Sequence, residues 1–229
     1  METQKEEIVL YIYHIKETEN KNNSANEPSG KIPEGGTPKQ QAKLLSSALL
    51  ARAASHYMKQ HGRQYGPPPG PAPHPFASGQ TPAPSWRTQK GSHGKPYFPD
   101  CPWLHFSISH SGEYWACAMA PTEVGLDLQL HTKGRKERIS ARFFHPQENE
   151  YLRRSGYRGF FDIWAAKESY VKYTGQGIDE NFASFTAAAE NAPAAEINGA
   201  QLKSIPFRPN YSLSLCAPRI DNIIIHYEV

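Results

Sequence analysis

The sequence predicts an α+β protein made of two similar halves in tandem, residues 1–121 and residues 122–229. The first observation is the order of elements, because each half reads as a strand, then a helix, then a two-stranded hairpin. The second is that short runs of β-branched and aromatic residues are separated by longer amphipathic segments and by turn residues. Two such units are expected to pack with pseudo-twofold symmetry. The cleft between them is a common location for a ligand.

The first half opens with the apolar run IVLYIYHI at residues 8–15, which predicts a buried strand. The polar segment 16–36 predicts a loop. Thr37 followed by Pro38 predicts the start of a helix that ends near Gly62. Residues 66–84 contain eight prolines, which exclude a helix or a paired strand and predict an extended surface loop. A PxxP ligand and a solvated insertion are both open interpretations of that loop.

The remaining elements follow in a regular order. LHFSISH and YWACAMA flank Ser111, Gly112 and Glu113, which predicts a hairpin. VGLDLQL predicts the strand that opens the second half. Three helices are then predicted, at residues 135–144, at residues 146–154 and within residues 160–178, the last ended by Gly175 and Gly177. Short strands are predicted at residues 183–188, 200–207, 211–217 and 222–228.

The composition limits the possible functions. The 229 residues carry a net charge of +3 and a pI near 8.7, which suits an anionic substrate or an acidic protein partner. A basic stripe typical of nucleic-acid binding is absent from the sequence. No apolar run reaches the ~20 residues that span a bilayer, and the N-terminus lacks a secretory cleavage pattern. The three cysteines have no metal-binding spacing, so we expect a cytoplasmic protein with reduced thiols.

The helix FFDIWAAKESYVKYT carries the most informative charges in the chain. Trp164, Glu168 and Lys172 are four residues apart and therefore share one helix face. A carboxylate between Lys167 and Lys172 is an arrangement that suits a metal ion and a polyphosphate. The alternative is an ordinary amphipathic helix with one Glu–Lys pair.

Asp127 is the acid expected to complete this group. Strand alternation in VGLDLQL places Gly125, Asp127 and Gln129 on one face. A carboxylate in an apolar strand requires a partner, water or a metal. A strand Asp and a helix Glu suit Mg²⁺, which usually takes one or two protein carboxylates. The alternative is an Asp that caps a nearby turn.

Three further residues have a functional and a structural interpretation. His110 could donate to a phosphate or act as a base, or it could satisfy backbone groups at the hairpin. Lys95 could reach a phosphate or lie exposed. Glu148 could favour the dipole of its helix or, beside a metal, act as a general base. The basic run KGRKERISAR at residues 133–142 suits a solvated helix face better than a docking patch.

Five motifs together resemble one family. They occur in the order and with the spacing seen in 4′-phosphopantetheinyl transferases of the surfactin-synthetase-activating type, over residues 94–185: GKPYFPD, HFSISHSG, VGLDLQ, RFFHPQE and WAAKESYVKYTGQGI. The resemblance implies a monomeric tandem of two α+β halves with the active site between them. It also implies binding of coenzyme A and Mg²⁺ and transfer of the phosphopantetheine arm to a serine of an apo carrier protein. Adenosine 3′,5′-bisphosphate would be the second product.

The resemblance also implies a role for each matching residue. The metal ligands would be Asp127 and Glu168, and Lys172, with Lys167 as a weaker candidate, would contact the diphosphate. Other coenzyme A phosphates would be held by His110 and Lys95, with Ser109 adjacent. Glu148 would deprotonate the attacking serine. Lys39, Lys43 and Arg52, on the first long helix, are the candidates for the 3′-phosphate.

Two features depart from the family pattern. Gln129 stands where the family often has an acid, which implies a metal site with one less negative charge. The segment before the first helix has fewer basic residues than is usual in the family. Both departures favour the alternative of a non-catalytic coenzyme A or carrier-protein binding module. A Mg²⁺-dependent phosphodiesterase is a more distant alternative, and peptide synthetase, polyketide and fatty-acid carriers all remain possible partners.

Overall fold

The computed structural model of the protein describes residues 7–15, 37–65, 86–177, 180–189 and 193–228. The predicted loops at residues 16–36 and 66–84 therefore lie outside the described residues. The first half contains β1 (Glu7–His14), α1 (Pro38–Tyr65), β2 (Gln89–Lys90), β3 (Pro96–Tyr97), β4 (His105–Ser111) and β5 (Tyr114–Ala120). The second half begins with β6 (Gly125–Leu130), α2 (Lys136–Phe143), α3 (Pro146–Arg154) and α4 (Phe160–Thr174). A 3₁₀ turn (Glu180–Ala183), β7 (Glu196–Ile197), β8 (Ala200–Ser204), β9 (Tyr211–Ala217) and β10 (Asn222–Glu228) follow.

The α+β class is confirmed, and the two halves share a strand order. The first sheet has the order β10-β1-β5-β4 and the second the order β6-β9-β8-β7. In each, the strand before the long helix pairs antiparallel with the second strand of the hairpin. The predicted repeat of strand, helix and hairpin is therefore visible in the pairing of β1-β5-β4 and β6-β9-β8.

The last strand departs from the simple division of the chain at residue 121. β10 pairs in parallel with β1 and so joins the sheet of the first half. It extends that sheet at the β1 edge, which would otherwise carry unpaired backbone groups. The two halves are consequently linked by exchange of this strand as well as by packing.

The prediction of a strand at residues 183–188 is wrong. The 3₁₀ turn occupies its beginning, and a single bridge between Ala188 and Pro193 is its strand-like contact. The reason is that side chains take its backbone groups: Lys167 donates to the carbonyl of Phe185, and the amide of Ala187 donates to Glu148. A backbone satisfied in this way does not need a neighbouring strand.

The core consists of three apolar layers. α1 packs on one face of the first sheet through residues such as Leu49 and Trp115. The opposite face of that sheet packs on the second sheet, where Leu10 meets Leu126 and its neighbours. α4 covers the outer face of the second sheet through residues that include Ile163. The order of layers is therefore α1, first sheet, second sheet, α4. Within the described residues, no helix is long and apolar enough to cross a membrane.

Candidate functional site

The site is built where α4 lies directly on β6. A Cβ atom at Gly125 would be 1.9 Å from the carbonyl oxygen of Ser169 and 2.4 Å from the amide nitrogen of Tyr173. Any larger residue would push the helix away, so glycine allows the two backbones to touch. This close approach brings the outward face of β6, two residues further along at Asp127, under the charged face of the helix.

Asp127 is the centre of a hydrogen-bonded group. Its side chain is buried, and Lys172 Nζ approaches its Oδ1 atom at 2.6 Å. The hydroxyl of Ser109 donates to the same oxygen at 2.9 Å, and the amide nitrogen of Gln129 donates to Oδ2 at 2.9 Å. Lys172 also donates to the carbonyl of Ile108 at 3.3 Å. Asp127 is thus a buried side chain held by three donors from β4, β6 and α4, and the interpretation of a simple turn cap is wrong.

Glu168 lies beside this group without a partner of its own. It is half-buried, and within the described part of the chain it makes no hydrogen bond or ion pair. Burial raises the pKa of Glu168 to about 7, with a second contribution from the nearby Asp127 carboxylate and an opposing one from Lys172. The helix carboxylate and the strand carboxylate therefore meet across the fold, as the sequence predicted.

A cavity of about 280 Å³ opens onto these groups. Its lining comes from both halves and includes Lys95, Ser107, Ile108, Glu168, Lys172 and Gly175. An acidic and two basic side chains thus line one cleft at the junction of β4 and α4. Such a mixture suits a ligand that carries phosphates together with a cation.

The oxygen atoms available here fit a magnesium ion. Asp127 and Glu168 supply carboxylates, and Gln129 has a free amide oxygen because its nitrogen points to Asp127. No three His, Cys, Asp or Glu side chains converge on one metal position anywhere in the described ranges. A cation would therefore rest on two carboxylates and complete its shell with amide oxygen, water and substrate, which is the usual habit of Mg²⁺.

Lys95 lines the cavity but is already engaged. Its ammonium lies 2.5 Å from Glu123 Oε2 and also donates to the carbonyls of Val124 and Tyr173. His105 approaches the other oxygen of Glu123 at 3.1 Å. The hydrogen bond from His105, followed by Lys95, lowers the pKa of Glu123 to about 2. Lys95 therefore ties the turn between β2 and β3 to the start of β6 and to the end of α4, and a phosphate would have to share its ammonium.

His110 and the two α1 residues lie on another face. His110 is exposed and is paired in register with Trp115, whose side chain packs toward α1. Lys43 is exposed on α1, and Arg52 lies over the ring of Tyr13 at 5.7 Å. None of these three lines the cavity described above. Their contacts with coenzyme A stay predictions.

Glu148 and Lys167 form a separate buried pair. Both side chains are completely buried, and the ammonium of Lys167 lies 3.0 Å from Glu148 Oε2. Burial lowers the pKa of Lys167, and the Glu148 carboxylate opposes that shift. Rings of Phe144, Phe182 and Phe185 surround the ammonium at 4.1–5.8 Å. This environment contradicts the expected contact of Lys167 with a diphosphate, because the ammonium is enclosed by protein.

The expected role of Glu148 as a general base also conflicts with this geometry. One oxygen accepts from the backbone amide of His145 at 2.8 Å, and the other accepts from Ala187 at 2.6 Å. Together with Lys167, these donors occupy both oxygens of a carboxylate that has no exposed surface. A base must come within hydrogen-bond reach of the proton that it removes. In the observed conformation Glu148 instead caps α3 and anchors the 185–187 segment.

The sequence reasoning missed the role of Ser109. Its side chain is buried, donates to Asp127 and accepts from the amide of Leu128 at 3.0 Å. The Ser109 hydroxyl is therefore already engaged with Asp127 and Leu128, and its expected contact with coenzyme A stays a prediction. The alternation of Ser107, Ser109 and Ser111 was the available signal, because strand geometry places all three on one face.

Comparison with known proteins shows similarity to 4′-phosphopantetheinyl transferases. Residues 123–216 match the model of the 4′-phosphopantetheinyl transferase superfamily. The 4′-phosphopantetheinyl transferase Sfp of Bacillus subtilis (strain 168) is 30% identical over 141 residues, which cover 56% of this chain and 62% of that protein. The 4′-phosphopantetheinyl transferase psf-1 of Bacillus pumilus is 37% identical over 100 residues, 41% of this chain and 42% of its own.

A relative from Nostoc is similar to this chain over a comparable length. The 4′-phosphopantetheinyl transferase HetI of Nostoc sp. (strain PCC 7120 / SAG 25.82 / UTEX 2576) is 34% identical over 148 residues, 60% of this chain and 62% of that protein. The chain thus spans less than two thirds of the length of the curated relatives that it matches. The matched family region includes Asp127, Gln129, Glu168 and Lys172.

Proposed function

We propose that this chain is a 4′-phosphopantetheinyl transferase, which transfers the phosphopantetheine arm of coenzyme A to a serine of an apo carrier protein; its similarity to that superfamily over residues 123–216 and to Sfp supports the proposal. The observation that carries the proposal is that Glu168 and Lys172 line one cleft between the halves, with the buried Asp127 directly beside them. Two carboxylates and a lysine at such a cleft are suited to a cation and a diphosphate. The second product would be adenosine 3′,5′-bisphosphate.

The reaction is a substitution at phosphorus. The carrier serine oxygen forms a new bond to the β-phosphorus of coenzyme A, while the bond from that phosphorus to the bridging oxygen breaks. The electron pair of the broken bond leaves with adenosine 3′,5′-bisphosphate, and the serine proton passes to a base or to water. Catalysis of such a step depends chiefly on positioning and on stabilisation of the charge that develops on phosphate oxygens.

The side chains at the cleft can supply these effects. Lys172 reaches across from α4 to β6, and its ammonium can donate to a diphosphate oxygen in place of the carbonyl of Ile108. Asp127, Glu168 and the amide oxygen of Gln129 would hold Mg²⁺, which would neutralise diphosphate charge when bound. Lys95 can add a further donor at the same cavity while it stays paired with Glu123.

The proposal assigns a structural task to Glu148. Its two oxygens are occupied by Lys167 and by two backbone amides, and its side chain is completely buried. The serine proton would therefore leave to another group or to water at the cleft. If Glu148 were the base, the buried pair would have to open during each turnover.

The carrier, the cytoplasmic location and the monomeric state are further parts of the proposal. The mild positive charge suits an acidic partner, but it does not distinguish peptide synthetase, polyketide and fatty-acid carriers. Gln129 is the observation that favours the alternative of a non-catalytic binding module. Its contact with Asp127 weakens that alternative, because the amide supports the carboxylate and does not replace it.

The test is direct. The protein is incubated with several apo carrier proteins, coenzyme A and Mg²⁺, and each carrier is weighed by mass spectrometry. We expect one carrier or more to gain the mass of phosphopantetheine, and Asp127→Asn to lose this activity. Asp221→Asn, which changes an acid paired with Arg219 at the surface, is the matched control. Coenzyme A binding without transfer to any carrier would favour the binding module, and hydrolysis without a carrier would favour a phosphodiesterase.

A further inference from the structure

The junction of β4 and β6 has an unusual form of hydrogen bonding. β6 is the edge strand of the second sheet, and β4 is the edge strand of the first. The amides of Leu126, Leu128 and Leu130 point away from the sheet of β6. They donate at 2.9–3.0 Å to three serine hydroxyls of β4, which we call the serine ladder: Ser107, Ser109 and Ser111.

The serine ladder replaces the backbone acceptors of a missing neighbouring strand. Each partner in β6 is 19 residues after its serine, so the two strands run in the same direction and stay in register. Unpaired amides at a buried strand edge would be costly, and the hydroxyls satisfy them. The ladder therefore fixes the position of β6, and hence of Asp127, relative to the first half.

The middle rung of the ladder has a second contact. A hydroxyl can accept hydrogen bonds and can also donate one. The Ser109 oxygen accepts a hydrogen bond from the amide of Leu128, and the Ser109 hydroxyl donates one to Asp127 Oδ1 at 2.9 Å. Within the described residues, Ser107 and Ser111 make no corresponding bond to a carboxylate. The three serines thus share one structural role, and among them Ser109 alone donates a hydrogen bond to Asp127.

We propose that Ser109 is a positioning residue for Asp127, an inference that rests on the function proposed above. Asp127 Oδ1 is shared by Lys172 and Ser109, whereas Oδ2 is held by Gln129. The ammonium of Lys172 ends a long flexible side chain that must also serve the diphosphate. The hydroxyl of Ser109 is fixed by β4 and by Leu128, so it holds the carboxylate when Lys172 turns toward the substrate.

Ser111→Ala is the matched control for this role. Both Ser109→Ala and Ser111→Ala remove one hydroxyl and leave one β6 amide without its acceptor. Ser109→Ala removes the contact with Asp127 as well. Loss of a partner that orients a metal ligand typically weakens metal binding or activity by about 10–100-fold. We expect Ser109→Ala to lose cation affinity by that factor and Ser111→Ala to keep it. The thermal unfolding midpoints of the two variants should decrease by similar amounts, because each leaves one β6 amide without its acceptor.

The experiment measures cation affinity separately from transfer. Mn²⁺ is titrated into wild type, Ser109→Ala and Ser111→Ala, with free Mn²⁺ followed by electron paramagnetic resonance, and the Mg²⁺ concentration dependence of transfer is then measured. Ser109→Cys is a further variant, because its thiol fills similar space and is a weak donor. It should also bind Mn²⁺ more weakly than wild type, which keeps the test decisive if Ser109→Ala does not fold.

The two proposals fail in different ways. Weaker Mn²⁺ binding in Ser109→Ala than in Ser111→Ala supports the positioning role, even if no carrier is modified and the transferase proposal fails. Transfer by wild type with equal Mn²⁺ affinity in both alanine variants supports the transferase and overturns the positioning role. Wild-type affinity in Ser109→Cys, or no Mn²⁺ binding by the wild-type protein, overturns it as well.

Discussion

Glu168→Gln should stabilise the protein at neutral and alkaline pH when no divalent cation is present. Glu168 is half-buried beside the Asp127 carboxylate, and no described residue forms a hydrogen bond with it. Burial first, and Asp127 second, raise the pKa of Glu168 from 4.5 to about 7 in the folded state. An ionised carboxylate at this position therefore lowers the free energy of unfolding, and glutamine removes the charge while it keeps the shape of the side chain.

The size and sign follow from the two pKa values. Between pH 4.5 and about 7 the folded state binds more protons at Glu168 than the unfolded state, so the free energy of unfolding falls as pH rises. The full difference in pKa corresponds to about 3 kcal/mol. Near pH 4 the wild type and Glu168→Gln should be almost equally stable. Above pH 7 the variant should be more stable by an amount approaching that figure.

Urea unfolding at a series of pH values, in the presence of a chelator, measures this effect. Glu137→Gln, at an exposed position on α2, is the control and should not gain stability with rising pH. Addition of Mg²⁺ should raise the stability of the wild type more than that of Glu168→Gln, because the cation offsets the repulsion between carboxylates. A stability difference that does not change between pH 4 and pH 8 would refute the reasoning.

Two other predictions concern the packing around the site. Gly125→Ala should lower the unfolding free energy by roughly 1–3 kcal/mol and reduce transfer, because its Cβ would lie 1.9 Å from Ser169 O; Gly134→Ala, where no heavy atom lies within 4 Å, is the control, and equal urea midpoints would contradict the close approach. Lys167→Met should cost about 3–5 kcal/mol in urea unfolding, because it leaves the buried Glu148 carboxylate without its cation. Adding Glu148→Gln to Lys167→Met should restore part of that loss, and a double variant no more stable than Lys167→Met would contradict the assignment.

Local periodicity predicted correctly which side chains of β6 and α4 face one another. Alternation in VGLDLQL placed Gly125, Asp127 and Gln129 on one face, and α4 covers that face. The four-residue spacing of Glu168 and Lys172 placed both on the side of α4 that faces Asp127. These predictions succeeded because the direction of a side chain within one helix or strand follows from its position in the sequence.

Contacts between distant segments could not be predicted in the same way. The parallel pairing of β10 with β1 depends on which sheet edge is open, and that depends on the assembled fold. Lys167 lies next to Glu168 in sequence, yet the helix directs the ammonium of Lys167 toward Glu148 and the carboxylate of Glu168 toward Asp127. Lys167 finds Glu148, and together they hold a segment that was predicted to be a strand. The spacing of charged residues on a helix therefore predicts which of them share a face, but it does not predict which residues of other elements they contact.

Gln129 gains a physical meaning from its contact with Asp127. Its amide nitrogen donates to Asp127 Oδ2, which leaves the amide oxygen available to a cation. A glutamate at this position would offer a charged oxygen to the cation but would have no proton to donate to Asp127, and the two carboxylates would repel. Glu168 already experiences repulsion of that kind, because the Asp127 carboxylate adds to the larger effect of burial in raising the pKa of Glu168. Glutamine thus lowers the negative charge of the site while it helps Ser109 to hold Asp127 in place, so the departure from the family pattern is compatible with a working cation site.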